Sequence, residues 1–239
     1  MDHSALVKVL CLVSLMGLPA CLPQATQLQA AQPRAVIENE EDRGSIPGKT
    51  GYLSPLEQEI VNEINMARKN PAGYATFLEQ TRRFYVGRQF KQPGQITIIT
   101  QEGVNAVDEA IRFLRSTAPL CTVTPSRGMS LGAKDHCRDL GATGRFGHTG
   151  SDGSRMSDRV NRYGSWDKVV SECIYYGANQ GRDIVMGLIV DDGVSDRGHR
   201  KNLFHPDVHV VGVTCGYHPT YKNMCVIDLA GGYSEKTGK

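Results

Sequence analysis

The chain has no surplus of either charge. Twenty-seven Lys and Arg face 25 Asp and Glu, a net +2 over 239 residues, and no basic run exceeds a pair. That balance offers a nucleic-acid backbone no electrostatic footing. No apolar run approaches the roughly 20 residues that cross a bilayer. Hydrophobic content of 40% suits a packed core, not a multi-span membrane protein. Cys-x-x-Cys pairs are missing, which excludes a zinc ribbon and a thioredoxin-type motif. There is no His-Glu-x-x-His helix. Ser151, Ser154 and Ser195 lie near histidines, but none stands in a Gly-x-Ser-x-Gly elbow. No internal repeat is visible.

What is there begins with an apolar N-terminal run, Val9–Leu18, preceded by Lys8 and followed by small residues and Cys21. It has the order of an export signal. Leu18-Pro19-Ala20-Cys21 resembles a bacterial lipobox, whose Cys is lipidated and becomes the mature N-terminus. The alternative is a plain signal peptide cleaved near Ala20 or a later Ala. A buried helix is the third reading, but the polar stretch that follows offers it nothing to pack against. Residues 22–52 are rich in Gln, Ala, Pro and Gly and carry the acidic run Glu38–Asp42. Their small apolar surface predicts a flexible linker. Residues 53–235 are left for one folded domain.

Cysteine usage agrees with export. Five cysteines follow the signal: Cys121, Cys137, Cys173, Cys215 and Cys225. An odd number leaves at least one unpaired within the chain. Cys215 and Cys225 flank a turn-like segment between two apolar runs and are the first expected disulfide. Cys121 with Cys137 is the second. Reduced, buried thiols are the alternative.

Along the domain, Ser54-Pro55 with Glu57 marks a helix start. Leu56, Ile60, Ile64 and Ala67 follow at helical spacing. Asn70-Pro71 ends that helix and begins another. Ile96–Thr100 is a short strand candidate, and Val104, Val107, Ile111 and Leu114 mark a third helix. Pro125 is expected to start a fourth, with Met129, Ala133, His136, Cys137 and Leu140 inward and Gly144 as its stop. Ser157–Tyr163 and Ile184–Val190 read as helical. Val169–Tyr176, Val208–Cys215 and Cys225–Ala230 read as strands. Helices early and paired strands late predict an α+β class with an antiparallel sheet.

Three residues carry the chemistry. His148 sits in Gly147–Ser154, a polar loop where a lone histidine is ordinarily just solvated. Glu172 lies in a strand-like run between residues that want burial, and a buried carboxylate needs a partner. That partner is an Arg or backbone amide on the plainer reading, and a His or cation on the functional one. His199 follows Gly198 in a short helix, whose N-terminus favours the neutral, metal-binding imidazole. Two His with one or two carboxylates suit Zn²⁺ or a similar divalent ion.

The order of these motifs resembles the CAP superfamily (SCP/TAPS), which includes cysteine-rich secretory proteins, antigen 5 and pathogenesis-related 1 proteins. Ile64-Asn65-Met66-Ala67-Arg68 is similar to its "IN..R" opening helix. Phe146-Gly147-His148 is similar to its first cavity histidine. Ser171–Gly177 is similar to "GENI..G", and Gly198–Leu203 to the bacterial "GHR.NIL". Val211–Val213 and Asp228–Tyr233 are similar to its closing strands. The resemblance implies an α–β–α sandwich with a central antiparallel sheet. It also implies a broad cleft where His148, Glu172 and His199 hold a divalent cation in some members. Departures are Cys173 for the family's Asn, no Trp before the second histidine, and no counterpart of the second cavity glutamate. Asp192 or Asp191 is the candidate replacement. Gln80–Pro119 exceeds a minimal member and is expected to add a strand or hairpin and a helix.

The expected function is thus an exported binding module for a lipid, sterol or peptide, anchored to a membrane if Cys21 is lipidated. A metal-dependent hydrolase of esters or peptides, with Glu172, His148 and His199 at its centre, is the enzymatic alternative. A structural or adhesive surface protein is the third.

Overall fold

The computed structural model describes residues 51–94 and 97–236. The expected signal and almost all of the expected linker, up to residue 50, lie outside the described residues. Helix α1 (Pro55–Lys69) opens with a reciprocal capping box between Ser54 and Glu57. Asn70 ends α1 and caps α2 (Pro71–Arg82) through its side chain. Two residues of the "IN..R" motif are tie points. Asn65 exchanges two hydrogen bonds with the Val123 backbone. Arg68, fully buried, donates to the carbonyls of Cys121, Leu203 and Val208.

The extra segment forms a small three-stranded antiparallel sheet and a helix. Its strands are β1 (Tyr85–Val86), β2 (Gln89–Phe90) and β3 (Ile98–Ile99). Helix α3 (Val104–Ser116) packs on α2. Pro125 does not start the fourth helix. It ends β4 (Thr124–Pro125), and Ser126 caps α4 (Arg127–Thr143). All five expected inward residues of α4 are buried. Gly144 stops it at φ 67, a conformation that costs glycine little. The short α5 (Met156–Val160) follows.

β5 (Gly164–Tyr176) begins earlier than its alternation predicts, because a bulge at Lys168, φ 65, shifts the register between Asp167 and Val170. After it come α6 (Gly181–Val190), α7 (Gly198–Leu203), β6 (Val210–His218) and β7 (Lys222–Glu235). The main sheet runs β4-β6-β7-β5. Its long pairs are antiparallel, and only the two-residue β4 joins parallel. Alternate strand residues bury on opposite faces. Cys173, Val213 and Ile227 pack with α1, α2, α3 and α6, whereas Ile174, Val226 and Ala230 pack with α4 and α5. The result is an α+β, three-layer α–β–α sandwich.

Cys215 and Cys225 are bonded across the β6–β7 hairpin. The second expected pair does not form: Cys121 and Cys137 are both free. Cys121 is exposed in the connection after α3, while Cys137 is buried on α4 against Gly216. Cys173 is also free and buried. Among the described residues no helix is long and apolar enough to cross a membrane.

Candidate functional site

β5 is an edge strand of the sheet, and the site forms along it with one histidine from each side. Glu172 lies on the face covered by α4 and α5, in the gap between their two apolar clusters, and is 7% exposed. Its Oε1 accepts from His148 Nδ1 at 2.8 Å and its Oε2 from Arg159 Nη2 at 2.7 Å. Burial acts to raise its pKa. The hydrogen bond from His148 and the Arg159 charge outweigh burial, so the carboxyl sits below its ordinary range.

The His148 loop is fixed from beneath. His136 Nε2 donates to the Gly147 carbonyl at 2.8 Å, and Arg159 reaches the His148 carbonyl with both terminal nitrogens at 3.2 Å. Ser151 is tied to Asp139 through backbone and hydroxyl. Gly147, at φ 100, turns the chain so that the ring stays 44% exposed while the backbone is held. His136 itself is fully buried, and that burial lowers its pKa, keeping it neutral.

His199 comes from the other helical layer, in the first turn of α7. Asp191, left-handed at φ 56, ends α6 and turns its carboxylate onto this turn. One oxygen accepts from His199 Nδ1 at 2.7 Å and the other from the His199 backbone at 2.9 Å. The His148 and His199 rings stand 6.4 Å apart, centroid to centroid. In each pair the carboxylate accepts from Nδ1, which leaves Nε2 of the neutral ring as a free lone pair. Beside His148 and Glu172 opens a depression of about 290 Å³, with Met156 and Val170 in its wall.

Of the four expected ligands, His148 and Glu172 touch, and the His199 ring stands 6.4 Å from that of His148. Asp192 serves elsewhere. Its oxygens accept the backbone N–H groups of Gln101, Glu102 and Gly103, the turn that leads into α3. Glu172 orients His148 and has no oxygen left without a donor. Among the described residues no three His, Cys, Asp or Glu are grouped to hold an ion. What remains of the expected set is a pair of imidazoles, each with a carboxylate on its Nδ1. Cys173 points to the opposite face, near the His199 carbonyl and Asn202. Burial pushes its thiol far up, away from nucleophilic chemistry.

Sequence reading missed three contributors. His136 was legible only as an inward residue of α4, and Arg159 not at all, because no local pattern separates a supporting arginine from a surface one. Asp228 stands directly opposite Glu172 in the β5–β7 ladder and is fully buried. Its only signal was a charge in the middle of a Val/Ile-rich strand.

A family model described as the cysteine-rich secretory protein family, CAP, matches residues 108–229, a span that includes both histidine–carboxylate pairs and the residues that brace them from β5, β7, α4 and α5. No curated protein matches the chain in sequence. Two solved structures are similar to it. An outer surface protein from Borrelia burgdorferi is 16% identical over 46% of this chain and 78% of that one, with a TM-score of 0.40. An extracellular protein containing a SCP domain from Bacillus anthracis str. Ames is 18% identical over 53% of this chain and 37% of that one, with a TM-score of 0.37.

Proposed function

Because the chain belongs to the cysteine-rich secretory protein (CAP) family, we propose that it is an exported binding module whose cleft offers His148 and His199 to a divalent cation such as Zn²⁺ beside a lipid, sterol or peptide ligand. The observation that carries this reading is the matched pair of imidazoles, His148 on Glu172 and His199 on Asp191. A carboxylate on Nδ1 fixes the tautomer and holds the ring still. The ion would polarise a carbonyl or phosphoryl group of the ligand. Export agrees with the N-terminal apolar run and with the Cys215–Cys225 bond, since such bonds persist in oxidising compartments. Lipidation of Cys21 would add a membrane anchor.

Calorimetric titration with Zn²⁺ tests the reading. His148→Ala combined with His199→Ala should abolish binding while the circular-dichroism spectrum and unfolding transition persist. Unchanged affinity in a folded double variant would sink it.

A further inference from the structure

Among the described residues, Asp228 is the one buried acid of the sheet without a counterion of its own. It is 0% exposed, and neither carboxylate oxygen receives a hydrogen bond from any donor. Its ladder neighbour on β6 is Gly212, whose lack of a side chain lets the α4 backbone at Met129 and Ser130 close over the sheet. Its neighbour on β5 is Glu172. The ionisable groups whose charge reaches it are Glu172 of β5 and Arg159 of α5. Cys173 and Tyr233 lie within its electrostatic reach. Arg159 commits both terminal nitrogens to Glu172, His148 and Ser154, and its buried Nε reaches no acceptor, Asp228 included.

Two ionised carboxylates side by side in this gap would leave one with no donor, and desolvation forbids that. One of them therefore keeps a proton. Glu172 already accepts from His148 and Arg159. Asp228 accepts from nothing.

We propose that Asp228 is a neutral carboxylic acid that donates its O–H to the Glu172 carboxylate and so positions Glu172 under His148. It is a positioning residue, two steps removed from any ligand. Its burial, and the Glu172 charge beside it, hold the proton on well above the usual carboxyl range. The chain of contacts is Asp228 to Glu172, Glu172 to His148 Nδ1, with His148 Nε2 facing the cleft. Its consequence for the cleft rests on the binding reading above, but the protonation state does not.

The experiment is ¹³C NMR of the full chain labelled at aspartate carboxyls. At pH 7 one aspartate carbon should resonate as a protonated acid, and Asp228→Asn should remove that signal. An Asp228 carbon that resonates as a carboxylate at pH 7 overturns the proposal. Wild-type spectra across pH decide the point even if the variant folds poorly. Zn²⁺ calorimetry supplies the second arm. Asp228→Asn keeps a donor toward Glu172 and should keep affinity. Asp228→Leu removes the donor and should lose about tenfold, the lower end for a supporting partner of a metal-bound histidine. Equal loss in both variants overturns the positioning role. If wild-type protein binds no Zn²⁺ the cleft reading fails, and the carboxyl signal alone still decides the state of Asp228.

Discussion

Glu172 is held by three elements at once: β5 carries it, the loop after α4 brings His148, and α5 brings Arg159. Removing it strands a fully buried guanidinium. Glu172→Ala should therefore destabilise the fold by about 3–5 kcal/mol, the usual cost of breaking a buried pair from one side. Urea unfolding of the folded variant measures this. Glu172 and Asp228 also give opposite pH dependences. The depressed pKa of Glu172 stabilises the fold above the unfolded carboxyl pKa of about 4, and that contribution is lost as pH falls. Asp228 is raised, so the native state holds a proton that the unfolded chain releases. Its contribution is complete below about pH 4 and declines as pH rises, by at most about 1.4 kcal/mol per unit. Asp228→Asn has no proton to retain. Its urea midpoint should gain on wild type between pH 4 and pH 7, and parallel curves would contradict this.

The elements that present His199 were only half legible. Alternation and spacing gave β5, α6 and the glycine before α7, because those patterns are local. The exchange between Asp191 and Asp192 was hidden, because it depends on a left-handed residue at Asp191 that no periodicity announces. Asp191 thereby faces His199, and Asp192 clasps the start of α3. The added segment was visible as excess length, but its purpose was not. Glu102 and Glu109 grip Arg197, and Glu109 also holds Arg200. Arg197 in turn donates to the Asp191 and Val194 carbonyls. This network pulls the Glu109 carboxyl down to about 2 and fixes the turn that bears Asp191 and His199. Glu102→Ala with Glu109→Ala should loosen that turn. Zn²⁺ affinity should fall about tenfold by calorimetry, with a smaller effect on stability because both carboxylates are partly exposed.

At the scale of the molecule, the fold class followed from helices early and strands late, and the motifs gave the layer order. The convergence itself was not readable, since His148 and His199 approach from opposite faces of one sheet. Their rings approach to 6.4 Å beside β5, an edge strand of that sheet. An outermost strand also leaves a row of backbone groups open to a second chain. At its start, β5 carries the bulge at Lys168, with Asp167 and Lys168 both exposed. A kink and exposed charge at a sheet edge disfavour the pairing of a second chain onto it. Deleting Lys168 would straighten this segment. The expected outcome is self-association, read as a concentration-dependent shift in light scattering. The irregularity that shortened the strand in the sequence pattern is thus a local guard against edge-to-edge pairing.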